Sequence, residues 1–159
     1  MTWLAVTGHR ELPPHTEHLV DTALRAELVK HAGGDLVGLS CIADGADALF
    51  ARAVLDAGGT LVVVVPAQRY RDGLPESHHV TYDALLACAS DVIRLDHRES
   101  GAQAHMDASL RMIEQADELY AVWDGQPARG YGGTADVVDA ANDRGVPVTV
   151  IWPAAAERE

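Results

Sequence analysis

Short runs of β-branched and aromatic residues recur along the chain at positions 3–7, 36–41, 61–65, 91–95, 119–123 and 146–151. Runs this short and this apolar read as strands buried on both faces. Between them the period lengthens. Ala46, Leu49, Phe50, Ala53, Val54 and Ala57 fall on one helical face over three turns, and Val20, Leu24 and Leu28 recur every four residues. Strands alternating with helices of this length need crossover connections, which are right-handed and build a parallel sheet covered on both faces. The expected fold is doubly wound α/β, a mostly parallel, Rossmann-like sheet in three αβα layers. No repeat, low-complexity tract or Pro/Gly-rich linker breaks the pattern. A single domain is expected over residues 1–153, with 154–159 as a short tail.

Open parallel sheets bind ligands at the carboxyl ends of their strands. Three loops there are rich in glycine, hydroxyl, carboxylate and arginine. The first holds Thr7, Gly8, His9, Arg10 and Glu11; the second Asp44, Gly45 and Asp47; the third runs from Asp124 and Gly125 through Arg129 to Gly132, Gly133 and Thr134.

Composition narrows the class. A chain of 159 residues with 48% apolar content closes a core and is not a disordered tail. The net charge of −12 sets the whole-molecule field against a polyanion, so no nucleic-acid polymer is expected as a partner. No apolar run approaches the roughly 20 residues that span a bilayer, and the first residues do not show a basic region followed by an apolar stretch and a cleavage site, so no signal sequence is expected. A cytoplasmic protein without a membrane partner is expected. Cys41 and Cys88 lie in apolar segments without a CxxC or zinc pattern and read as reduced core residues. Lys30 is the sole lysine beside many arginines, the bias of a GC-rich bacterial genome.

Gly130, Gly132, Gly133 and Thr134 open the helix after the fifth strand. Glycines permit close backbone approach, and the unpaired N–H groups of a first helical turn hold a phosphate or carboxylate. The competing role is an N-cap at Thr134 behind a flexible loop. A Walker lysine is missing, and no GxGxxG follows the first strand, which removes kinase, GTPase and ordinary dehydrogenase functions. Asp136, in the first turn, either stabilises the helix dipole or faces a ribose. Asp47 and Asp124 either accept from sugar or base or cap their own loops. Arg10 suits phosphate, or else pairs on the surface with Glu11 or Glu17. Residues 66–77, with Arg69, Tyr70 and Arg71, suit a mobile lid over an anion or a long surface loop. His78, His79, His97 and His105 have no metal-ligand spacing and read as solvated. Trp3, Trp123 and Trp152 read as core. No metal or cofactor is called for.

Thr7-Gly8-His9-Arg10, residues 40–47 and residues 123–134 together resemble the SLOG superfamily, the Rossmann-like nucleotide-binding domains related to the Lonely Guy enzymes and to the DNA-processing protein Smf. Ser40, Ala43, Gly45, Ala46 and Asp47 match the second loop of many members, with Cys41 and Ile42 in place of glycines. Ala116-Asp117, Ala-Val-Trp-Asp-Gly at 121–125 and the following Gly-Gly-Thr also match. The resemblance implies a homodimer and a small nucleotide ligand. Lonely Guy enzymes release a base from a nucleoside 5′-monophosphate with a glutamate three residues after the threonine and an upstream arginine. Val137 stands at that glutamate position here; Asp136 is one residue earlier, about 100° around the helix, and Arg98 follows the fourth strand.

Two functions follow. In the first the chain binds or senses a small nucleotide such as a nucleoside phosphate or ADP-ribose, through Thr7, Gly8, Arg10, Gly45, Asp47, Asp124, Gly125, Gly132, Gly133 and Thr134. In the second it is a nucleotide N-glycosidase, with Asp136 and Arg98 as the catalytic pair.

Overall fold

The structure, a computed structural model, describes residues 1–31 and 35–158. Strands and helices alternate as the hydrophobic periods require: β1 (Thr2–Gly8), α1 (Pro14–Leu28), β2 (Leu36–Ser40), α2 (Ala46–Asp56), β3 (Thr60–Ala67), α3 (His79–Ala87), β4 (Asp91–His97), α4 (Ala102–Gln115), β5 (Glu118–Val122), α5 (Thr134–Asp143) and β6 (Val148–Val150). The sheet runs β4-β3-β2-β1-β5-β6, and every neighbouring pair is parallel. The chain builds outward from β1 to β4, then crosses back through α4 to lay β5 on the other side of β1. That reversal opens a crevice between the carboxyl ends of β1 and β5, the place where doubly wound sheets take their ligands.

Alternation along the central strands divides the core. Leu4 and Val6 of β1 and Tyr120 and Val122 of β5 pack with Val20, Leu24, Leu28, Phe50 and Val54 of α1 and α2. Ala5 and Leu119 turn the other way, into the cluster holding Met106, Met112 and Ile113 of α4 and Val137 and Ala141 of α5. Gly8 closes β1 where three elements meet. A Cβ there would lie 2.5 Å from Ala46 Cβ and 2.8 Å from Val122 Cβ, so only glycine lets the start of α2 rest against the end of β5.

Four expectations change. Residues 66–77 are packed rather than free: Tyr70 and Leu74 are buried, and Arg71 holds Asp83 through two 2.8 Å hydrogen bonds. Cys88 is exposed at the end of α3, while Cys41 is buried, and both thiols are free. His78 is buried, its Nε2 2.9 Å from the Ile42 carbonyl oxygen. The tryptophans are only half-buried, and two flank the crevice: Trp152 meets the His9 ring edge-on at 5.5 Å, and Trp123 Nε1 donates to the Gln126 carbonyl at 2.8 Å. The segment after β6 folds back, because Thr16 Oγ1 donates to the Glu157 carbonyl at 2.7 Å and accepts from its N–H at 2.8 Å. Among the described residues no helix is long and apolar enough to cross a membrane.

Candidate ligand-binding site

A cavity of about 340 Å³ occupies the crevice and extends along the carboxyl edge of the sheet. Its lining comes from residues 126–135 of the β5–α5 loop and the start of α5, the end of β1 and the residues after it (Thr7, Gly8, His9, Arg10), the β2–α2 loop (Cys41, Ala43) with Asp47 at the start of α2, the end of β3 and the segment after it (Pro66, Tyr70), and the α4 face with His105, Ser109 and Met112. Arg158, from the segment that folds back, completes it. Volumes of this size suit a small organic ligand.

The glycine-rich end is shaped by backbone. Gly132 has φ +85°, and a Cβ on it would sit 3.0 Å from the Ala102 carbonyl oxygen, so the loop can press against the start of α4 only without a side chain. Helix α5 then begins at Thr134, with the N–H groups of its first turn facing the loop. Asp136 does not line the cavity. Its Oδ2 accepts the Gly132 N–H at 2.9 Å, a carboxylate reaching back to cap the loop that precedes its helix. Asp136→Asn is expected to keep this bond through the amide oxygen and to lose only the charge–dipole part, a few tenths to about 1 kcal/mol in urea unfolding. Phosphate affinity should rise, because a negative charge beside the same N–H groups is gone; a fall would place the carboxylate in ligand contact.

His9 joins three elements. Its Nε2 accepts the Asp124 N–H at 3.1 Å and lies 3.2 Å from Asp124 Oδ1, while Nδ1 is 3.5 Å from Thr134 Oγ1. Burial and the Arg158 charge hold its pKa below the usual histidine value, against the pull of Asp124. An acceptor at Nε2 leaves the proton of the neutral ring on Nδ1, toward Thr134. Burial acts to raise the Asp124 carboxyl, but the Gln126 amide, His9 and Arg158 together bring it below the ordinary value. Asp124 therefore organises the loop behind His9, outside the lining, and Gly125, with φ +81° and open space around it, is also outside.

At the centre Arg10 is held by Asp44, with Nε 2.9 Å and Nη2 2.8 Å from Oδ1. Neither Glu11 nor Glu17 is its partner; the second Asp44 oxygen instead accepts the Glu11 N–H at 3.1 Å. Gly45 does not line the cavity but makes it possible: at φ +84° its missing Cβ would fall 2.6 Å from the His9 carbonyl oxygen. In the same loop Ile42, a β-branched residue, has φ +48°, a strained conformation of the kind that gathers at functional sites. Asp47 does reach the cavity. Burial pushes its carboxyl up to about 7, opposed by a backbone hydrogen bond from Ala43 and by the Arg10 charge. Burial likewise raises the Cys41 thiol and the Tyr70 hydroxyl well above their ordinary values, and burial with the Arg10 charge lowers His105.

The structure thus brings Thr7, Gly8, Arg10, Asp47, Gly132, Gly133 and Thr134 to one cavity, and it does not bring Arg98 there. Arg98 is exposed past the end of β4, where its carbonyl accepts the Arg69 N–H at 3.1 Å. Cavity residues absent from the sequence-based binding set include His9, Tyr70, His105, Arg129 and Arg158. His9, between the glycine and the arginine of a strand-terminal loop, was open to inference; the others depend on tertiary placement.

No protein-family model matches this chain, and no curated protein matches it. Solved structures do. DNA processing protein A (DprA) from Streptococcus pneumoniae is similar over 98% of this chain and 52% of its own, with a TM-score of 0.68 and 16% identity, so the chain spans about half the length of that relative. DNA processing protein A from Helicobacter pylori, described for its single-stranded DNA binding mode, is similar over 98% of this chain and 68% of its own, with a TM-score of 0.69 and 16% identity. The molybdenum cofactor binding protein from Rippkaea orientalis is similar over 96% of this chain and 77% of its own, with a TM-score of 0.61 and 12% identity.

The DprA similarity corrects one expectation. Exclusion of nucleic-acid polymers from net charge does not stand, because a protein of this fold is described as binding single-stranded DNA. Net charge describes the distant field, whereas binding depends on local charge, and arginines line the crevice of this acidic chain. The six-stranded parallel order and the crevice at its reversal make a Rossmann-like α/β fold, and these structural neighbours share it.

Proposed function

We propose that the crevice binds a small nucleotide, with its phosphate at the start of α5. The observation that carries this is a gathering of arginines at one cavity. Arg10, Arg129 and Arg158 line one cavity beside a helix N-terminus, in a chain of net charge −12. Asp44 holds Arg10, Asp124 serves the His9 loop and lies 3.7 Å from Arg158 Nη1, and Asp136 caps Gly132; of the nearby acids Asp47 lines the cavity, its carboxyl pushed by burial toward the neutral form. At the α5 end the lining offers guanidinium, backbone N–H and the Thr134 hydroxyl, the donor set that a phosphate takes. An N-glycosidase would need a carboxylate at the sugar carbon. With Asp136 turned to Gly132 and Arg98 outside the cavity, binding is the better supported function.

Thermal denaturation tests it. A nucleoside 5′-monophosphate or ADP-ribose at a hundred times its Kd stabilises the folded state by about 2.7 kcal/mol. For a chain of this size that is a Tm rise of roughly 5–10 °C. A panel of such ligands giving no rise at millimolar concentration would remove the proposal.

A further inference from the structure

The cavity is longer than a phosphate. From the glycine-rich loop after β5 it crosses the ends of β1 and β2 to reach β3. Three strand spacings of about 4.8 Å make roughly 14 Å. Its far end carries Cys41, Ala43, Pro66 and Met112 beside Asp47, Tyr70 and His105, with no guanidinium beyond Arg10.

Tyr70 is the informative group. It is only 4% exposed, and its ring is fixed edge-on between Tyr82 at 6.0 Å and His105 at 5.9 Å. Its backbone is held as well, the N–H donating to the Ala67 carbonyl at 3.2 Å and the carbonyl accepting the Gly73 N–H at 3.1 Å. Yet its hydroxyl has no hydrogen-bond partner among the described residues. Buried tyrosine hydroxyls ordinarily find one. Among those residues no side-chain oxygen or nitrogen sealed from solvent lacks a partner, so the small exposed part of Tyr70 includes its hydroxyl, and the opening it meets is the cavity it lines. A nearly buried, rigidly held donor is therefore aimed into the site with no partner among the described residues.

We propose that this end is a second, uncharged subsite in which the Tyr70 hydroxyl, flanked by Asp47 and His105, hydrogen-bonds the nucleoside half of the ligand. The inference rests on the nucleotide function above and adds to it where the nucleoside half lies and which side chain recognises it. The apolar lining accepts the faces of sugar and base, and the fixed hydroxyl reads an edge.

Calorimetric titration of wild type and Tyr70→Phe with orthophosphate, ribose 5-phosphate and the 5′-monophosphates of adenosine, guanosine, cytidine and uridine tests this. The substitution keeps the ring and removes only an oxygen without a protein partner, so the Tm of the free protein should not fall. Affinity for the preferred nucleotide should drop about tenfold, the scale of one hydrogen bond, while orthophosphate binds as before. A parallel drop for ribose 5-phosphate places the hydroxyl on the sugar; no drop there places it on the base. Unchanged nucleotide affinity in Tyr70→Phe, or an equal loss for orthophosphate, would overturn the subsite while leaving nucleotide binding intact. If wild type binds none of the six, the nucleotide function itself fails.

Discussion

Asp47→Asn is expected to be more stable than wild type above pH 7 and equal to it below about pH 4. Burial raises this carboxyl from an ordinary value of 3.8 to about 7 in the folded chain. Between those values the folded state binds a proton that the unfolded state releases, so wild-type stability falls as pH rises through the window and levels off above it. Asparagine can still accept the Ala43 N–H through its amide oxygen, and it has no charge to bury. The opening toward the cavity screens part of the cost, leaving an expected gain on the order of 2 kcal/mol at pH 8. His9 acts in the opposite sense. Its lowered pKa means that the unfolded state takes up the proton first as pH falls below 6.5, and stability is lost on the acid side. Urea unfolding from pH 4 to pH 8 should show wild type losing stability between about pH 4 and pH 7 and levelling off above, with that loss missing in Asp47→Asn. Coincident curves at pH 8 would mean that the carboxyl is ionised at no cost. An acid kept where it destabilises the fold points to use of the group, here at the edge of the ligand cavity.

The fold was legible because both hydrophobic periods are clean. Leu4 and Val6 against Ala5 alternate across β1, and Ala46, Phe50, Ala53 and Val54 form the buried face of α2, as their spacing required. The loops at the carboxyl edge were legible from glycine, since Gly8, Gly45 and Gly132 stand where a Cβ would meet backbone or packed side chains. Individual roles were less so. Whether an acid in a first helical turn faces a ligand or the preceding loop depends on where that loop runs, and Asp136 was settled only by the Gly132 N–H beside it. Arg98 follows the fourth strand in the sequence, but β4 is the edge strand of the sheet, three strands away from β1. Tyr70 and His105 come from different elements, and nothing in their sequence neighbourhoods says that α4 folds across the end of β3. Net charge could not exclude nucleic acid because it averages over the whole surface, while three of the eleven arginines line one crevice.

Gly133→Asp should leave the protein folded and abolish anion binding. Gly133 is the residue before α5, with φ −71°, a conformation open to any residue. Aspartate at this position accepts N–H groups of the first turn and is among the best helix caps, so α5 itself should gain slightly. The Cβ would lie 2.9 Å from Ala128 Cβ, and the surface loop around Ala128 must give by a few tenths of an ångström. The carboxylate would then occupy the N–H groups that the phosphate needs and repel what approaches them. Losing charge-assisted hydrogen bonds at 1.5–3 kcal/mol each lowers affinity on the order of 100-fold or more. Calorimetry with the preferred nucleotide should show no heat in the variant at concentrations that saturate wild type, with circular dichroism unchanged. Retained affinity would move the phosphate away from α5.

The most direct measurement is a nucleoside 5′-monophosphate titration followed through the backbone amide resonances. Saturable shifts are expected at Gly8, Arg10, Thr134 and Ala135, with Tyr70 and its neighbours moving for the nucleotide but not for orthophosphate. Shifts absent at millimolar ligand, or confined to surfaces outside the crevice such as the His97–Asp107 pair between β4 and α4, would contradict a phosphate site at the start of α5.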